Sequence, residues 1–142
     1  MVKMGLLLWA MYLHFVADFL LQSREMGQKK SSELKWLLAH VGIQFLVLFL
    51  GLWLLLPRDI ALLLSGANAL IHGTIDWFIW KGYKKFVERR LYEEGPDNNN
   101  NPAHNLWQNG EWQYWKDSWF YTTIGFDQML HVMTLILILS FV

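Results

Sequence analysis

Seven residues that membrane-spanning segments normally reject sit inside the most apolar stretches of this chain: His14, Asp18, His40, His72, Asp76, Asp127 and His131. "LHFVADFLL" at 13–21 sets His14 and Asp18 four residues apart, "IHGTIDWFI" at 71–79 repeats the spacing with His72 and Asp76, and "FDQMLH" at 126–131 reverses it with Asp127 and His131. Residues four apart share one helix face, with Cβ atoms about 6 Å from each other. Every Asp within an apolar stretch has a His at this spacing, which scattered residues would rarely produce. An Asp at the centre of a membrane helix costs roughly 2.5–3.5 kcal/mol on insertion scales, and helix packing alone does not require that cost. Four imidazoles and three carboxylates without a thiolate form the nitrogen and oxygen set that suits Zn²⁺ first, with Mn²⁺ or Fe²⁺ as further choices. Seven donors exceed the closed tetrahedral set of a structural zinc and suffice for one or two ions. Centres of this kind activate water and clamp the oxygens of an in-line displacement.

Such residues need rigid elements to aim them. The 142-residue chain is 54% hydrophobic, with nine Trp and nine Phe, above the apolar share of an ordinary soluble domain. Its apolar runs give candidate spans at about 4–22, 35–56, 60–80 and 118–142, each near the roughly 20 residues that cross a bilayer core. The expected fold is therefore an all-α, integral membrane four-helix bundle, a single transmembrane domain over residues 1–142. With a span running inward at the start of each half, the four helices also read as two related hairpins. A signal peptide is the rival for the first run, but no small-residue cleavage site follows and a charge interrupts it. Cysteine is absent and the formal net charge is zero, so disulfides are excluded and nucleic acid is not an expected partner.

The polar segments set orientation. Loop one carries Arg24, Lys29, Lys30 and Lys35, and the long segment at about 81–117 carries Lys81, Lys84, Lys85, Arg89, Arg90 and Lys116, against only Lys3 and Arg58 on the opposite side. The positive-inside bias then places both segments in the cytoplasm and both termini outside it. Within the long segment, "KGYKKFVERR" is expected to continue the third helix, "GPDNNNNP" to form a flexible loop, and the Trp-rich "HNLWQNGEWQYWKDSWFY" to sit at the membrane interface. With alternating span directions, all seven His and Asp fall at overlapping depths, within roughly two to three turns at 1.5 Å per residue. Gln22, Gln44, Asn68 and Gln128, together with Thr123, lie on or beside the same faces and are candidates to orient the ligands or to bond helix to helix. His104, between the Asn run and the Trp cluster, is given no role.

The ordered set "HFVADFLLQ", a loop lysine at position 29 or 30, His40, "HGTID" and "FDQMLH" resembles domain-of-unknown-function family 3307, small multi-pass membrane proteins of bacteria and phages. The resemblance covers all four spans and implicates His14, Asp18, Gln22, His40, His72, Asp76, Asp127, Gln128 and His131. It implies a bacterial inner-membrane location and assigns no reaction. The placing of His and Asp on short membrane helices is similar in style to membrane-bound metal-dependent hydrolases. "SGANALIHGTID" also resembles part of a lipid phosphatase motif, with Ser65, His72 and Asp76 in register, but Gly66 stands where that motif has its phosphate-binding arginine.

The leading expectation is a metal-dependent hydrolase of a lipid or lipid-linked phosphate, with all seven His and Asp as ligands and with His40 and Asp127 as acid–base candidates. Arg24, Lys29 and Lys30 would flank the cytoplasmic mouth. Membrane lipids are the expected partners, alongside a lipid-like substrate and the option of a homo-oligomer. Two other classes stay open. One is a non-enzymatic interaction protein stapled by metal or by a buried His–Asp network. The other is an ion or proton carrier, which the apolar halves "LVLFLGLWLLL" and "TLILILSFV" disfavour.

Overall fold

Each apolar run is helical, and the helices differ in what their lengths allow. The structure is a computed structural model and describes residues 4–94, 107–108 and 111–142. Helix α1 (Met4–Phe15) passes into a π-helical turn (Val16–Leu20), followed by a short α2 (Arg24–Lys29), then α3 (Leu34–Trp53), α4 (Arg58–Glu94) and α5 (Ser118–Leu139). A two-residue antiparallel pair, Trp107–Gln108 with Glu111–Trp112, and a 3-10 turn at Tyr114–Lys116 precede α5. The chain is a helical bundle, as expected from its apolar runs.

Helices α3, α4 and α5 are each long and apolar enough to cross a membrane. The first run falls short of its expected 4–22. Its helical part spans Met4–Leu20, about 25 Å at the rise of an α-helix, because Ser23 ends it by capping α2, its Oγ accepting the Met26 N–H at 3.2 Å. The long segment at 81–117 opens as expected, with "KGYKKFVERR" continuing the helix of the third span. Helix α4 runs for 37 residues to Glu94, about 55 Å against a hydrocarbon core of about 30 Å, so its C-terminal part stands clear of the apolar layer. The "GPDNNNNP" run and His104 lie outside the described residues.

Asp117 fastens that projecting part to α5. Its Oδ1 accepts the Trp119 N–H at 3.1 Å, capping α5. Its Oδ2 accepts the Tyr83 hydroxyl at 2.9 Å, and Arg90 Nη1 lies 3.4 Å from Oδ1. Lys84 performs a similar tie on the other side, donating to the Gln28 carbonyl at 2.6 Å and so pinning the segment after α1 to α4.

The interior is layered along the bundle axis. Leu6, Ala10 and Leu13 of α1 pack with Leu48 and Leu52 of α3, Ala61 and Leu64 of α4, and Leu135, Ile138 and Leu139 of α5 into one apolar core at one end. The next layer is polar and equally buried: His14, Asp18, His40, Gln44, His72, Asp76, Asp127 and His131. Outside, Leu8, Leu20, Leu54, Leu63, Leu70, Phe78, Met133 and Leu137 are each more than half exposed. A soluble monomer rarely tolerates an apolar exterior of that extent; a lipid environment does.

Candidate metal centre

The polar layer depends on how closely α3 and α4 approach. A Cβ added at Gly73 would meet Val41 Cγ2 at 2.7 Å, so only glycine lets the two backbones come this near. His40 and His72 are the adjacent residues in sequence, and their Nε2 atoms lie 2.9 Å apart. On α1, the π-helical turn carries Asp18, with Leu21 N–H donating to the Val16 carbonyl at 3.0 Å across the widened turn. Asp18 Oδ1 lies 3.0 Å from His40 Nε2 and 3.7 Å from His72 Nε2. Asp76 Oδ2 lies 3.0 Å from His40 Nε2 and 3.1 Å from His72 Nε2.

The carboxylate contacts among these are not hydrogen bonds of good alignment. Asp18 Oδ1 and both Asp76 oxygens have no aligned donor among the described residues, although nitrogen atoms crowd them. His40 Nε2 alone has Asp18 Oδ1, Asp76 Oδ2, His72 Nε2 and Lys30 Nζ within 3.3 Å. One ring nitrogen has a single proton or a single lone pair to offer, so it cannot satisfy them all. Atoms arranged around a common centre do have such spacings. For ligands about 2.0–2.1 Å from a zinc ion, tetrahedral neighbours lie about 3.3 Å apart and octahedral ones about 2.9 Å. Asp18, His40, His72 and Asp76 therefore fit a divalent metal by donor type, burial and spacing.

Asp76, Asp127 and His131 form a second donor group that shares Asp76 with the first. His131 Nε2 lies 3.5 Å from Asp127 Oδ1 and 3.7 Å from Asp76 Oδ1, and its ring stacks on His72 with centroids 4.0 Å apart. Gln128 joins the groups: its Nε2 donates to Asp18 Oδ2 at 2.7 Å and lies 3.4 Å from Asp127 Oδ2. His14 belongs to neither group. Its Nε2 is 3.9 Å from Asp18 Oδ2, its Nδ1 pairs with Gln44 Nε2 at 3.3 Å, and its ring lies against His72 and His131.

The family model described as "Protein of unknown function (DUF3307)" matches residues 6–142. The chain belongs to this family. No curated protein and no solved structure matches it.

In this DUF3307 chain the loop lysines are not equivalent, and that corrects the expectation that both flank the mouth. Lys29 stays on α2, whereas Lys30 is 3% exposed and enters the polar layer, with Nζ 2.9 Å from Asp76 Oδ1, 3.3 Å from His40 Nε2 and 3.9 Å from Asp18 Oδ1. The loop lysine in the family pattern was the one sign of this in the sequence. Among the other polar candidates, the Thr123 hydroxyl donates to the Trp119 carbonyl at 2.8 Å and leaves the centre alone. Asn68 Nδ2 and Gln22 Oε1 are buried without a hydrogen-bond partner among the described residues. Asp117 and Tyr83 escaped sequence reading, although an Asp directly before "SWFY" is an N-cap signal.

A cavity of about 800 Å³ opens on the side of the layer away from the apolar core. Asp18, Lys30, Asp127 and Gln128 belong to both layer and cavity, the walls include Phe19, Trp80, Tyr83, Val87, Phe120 and Ile124, and Arg24 and Lys84 add positive charge. His40 and His72 do not line it. His40 thus lies among the buried donors, whereas Asp127 borders the cavity.

Gly73 is the simplest test of this architecture. Gly73→Ala forces Val41 or a helix to shift, and overpacking of this kind costs about 1–3 kcal/mol. The expected result is a lower melting temperature and weaker binding of added Zn²⁺ than in the wild type. A variant that melts like the wild type and binds added Zn²⁺ equally well would show that the close approach is dispensable.

Proposed function

We propose that this DUF3307 protein is a metal-dependent membrane hydrolase acting on a lipid or lipid-linked phosphate. The observation that carries the reading is the convergence of His40, His72, Asp18 and Asp76 beside a cavity whose polar part holds Lys30, Asp127 and Gln128 and whose walls are aromatic and aliphatic. A cavity of about 800 Å³ accommodates an anionic group and part of an attached hydrocarbon, the two halves of such a substrate. Zn²⁺ is the first choice for this donor set, with Mn²⁺ or Fe²⁺ next. Held there, a divalent ion supplies Lewis acidity toward a phosphoryl oxygen and activation of a water nucleophile.

The remaining roles fall to the chain. Lys30 faces the anionic oxygens of the substrate, and Gln128 holds Asp18 and Asp127 in place. Asp127 accepts a proton from the attacking water as the new P–O bond forms, and the P–O bond to the leaving group breaks, with a proton returned to that oxygen. We read the cavity as facing the cytoplasm from a bacterial inner membrane, with both termini outside, and the excess of basic residues in the first loop and at 81–116 supports this orientation.

An ion or proton carrier is disfavoured because the layer is closed on one side by Leu6, Leu13, Leu48, Leu52, Leu64 and Leu135. The competing reading is a non-enzymatic anchor held by a buried charge network, which the Lys30–Asp76 contact at 2.9 Å favours. Elemental analysis of detergent-purified protein, with melting curves before and after chelation, separates the two. The hydrolase reading expects a bound transition metal, a fall in melting temperature on its removal, and metal-dependent release of phosphate from a panel of phospholipids and polyprenyl phosphates. Protein with less than about a tenth of an equivalent of metal and no thermal response to added Zn²⁺ or Mn²⁺ would sink it in favour of the charge network.

A further inference from the structure

The two donor groups invite a two-metal centre, since Asp76 belongs to both. Lys30 argues against it. Its Nζ lies 2.9 Å from Asp76 Oδ1, the same oxygen that faces His131 Nε2 at 3.7 Å and that a second ion would need from the shared carboxylate. An ammonium at that distance occupies the approach to that oxygen.

Charge leads to the same count. The layer is buried, with Asp18, Asp76 and Asp127 each at 4% exposure or less and Lys30 at 3%. An unbalanced charge in such surroundings costs several kcal/mol even after relaxation. With His40 and His72 neutral as ligands, three carboxylates, one ammonium and one divalent cation sum to zero when the imidazoles of His14 and His131 are counted as neutral too. A second divalent ion would leave the layer with two uncompensated positive charges.

We infer that the centre holds a single divalent ion, at Asp18, His40, His72 and Asp76, and that Lys30 takes the place of a second one. The inference rests on the metal reading above. In a two-metal hydrolase the second ion would neutralise a substrate oxygen; here the Lys30 ammonium does so, since it lines the cavity as well as touching Asp76. Asp127 and His131 are left without a metal of their own. Asp127 is thereby free to take up a proton, and His131 supports the His72 ring by stacking at 4.0 Å.

Metal stoichiometry tests this without any assay of turnover. Purified wild-type protein, loaded with Mn²⁺ and freed of excess, is expected to hold about one equivalent per chain and to give the resolved hyperfine spectrum of an isolated Mn²⁺ by electron paramagnetic resonance. Lys30→Met removes the ammonium while keeping an unbranched side chain, and its Mn²⁺ content is expected to rise toward about two equivalents, with the broadened spectrum of a coupled pair. Lys30→Arg keeps the charge and should stay near the wild-type value. Two equivalents or a coupled spectrum in the wild type would overturn the inference, and that result needs no variant to fold. So would a Lys30→Met protein that folds and still takes one. Absence of bound Mn²⁺ and Zn²⁺ from all three proteins would instead remove the metal reading on which the inference stands.

Discussion

On the proposed hydrolase reading, Asp76→Asn is expected to lose metal binding and to abolish turnover. Both Asp76 oxygens are committed: Oδ2 lies within 3.1 Å of the His40 and His72 Nε2 atoms, and Oδ1 faces Lys30 at 2.9 Å. The amide retains the shape but removes the negative charge, and one of its two ends can only donate. Loss of a partner that merely orients a ligand costs 10–100-fold in metal affinity or activity, so loss of a ligand should exceed about a hundredfold. The check is metal content against chelator concentration, read together with melting temperature. In the metal reading, chelation lowers the wild-type melting temperature and leaves that of Asp76→Asn unchanged, because the variant has no metal to lose. If the wild type is indifferent to chelation and the variant simply melts earlier, Asp76 is part of a structural charge network.

Asp127→Asn should separate chemistry from metal binding. Asp127 lines the cavity and stands outside the group formed by Asp18, His40, His72 and Asp76, so its neutral analogue is expected to keep the metal. Its loss as a proton acceptor is expected to lower kcat by about 10²–10⁴-fold, the usual worth of a positioned general base. The assay is phosphate release from the best substrate of the panel, with metal content measured on the same sample. Full activity in this variant would remove Asp127 from the chemistry. Metal lost in parallel with activity would make Asp127 a ligand, and the single-ion centre would have to be redrawn.

These two variants differ because of tertiary contacts, yet both residues were legible as candidates in the sequence. A spacing of four on a helix is a local property, so His14 with Asp18, His72 with Asp76 and Asp127 with His131 follow from the order of residues alone. The helical class follows likewise from apolar runs of bilayer length. The end of the first helix was less legible, because Gln22 and Ser23 continue a polar edge that fits either a last helical turn or a cap. Only the Ser23 Oγ contact with Met26 N–H decides it.

What no spacing rule reaches is the relation between helices. Whether His40 faces His72 depends on α3 and α4 meeting at Val41 and Gly73, a contact between residues 32 apart in sequence. Asp76 serves two donor groups because it lies between α1, α3 and α5 partners that periodicity treats separately. His14 shares its spacing with Asp18 but turns toward Gln44, so equal local geometry led to unequal roles. Lys30 is the sharpest case. In the sequence it is one of several loop lysines, and its neighbour Lys29 is chemically identical. The end of α2 and the turn into α3 carry one of them into the polar layer and leave the other outside it, because buried carboxylates need a nearby cation to offset the loss of water, and only the folded chain determines which lysine can reach.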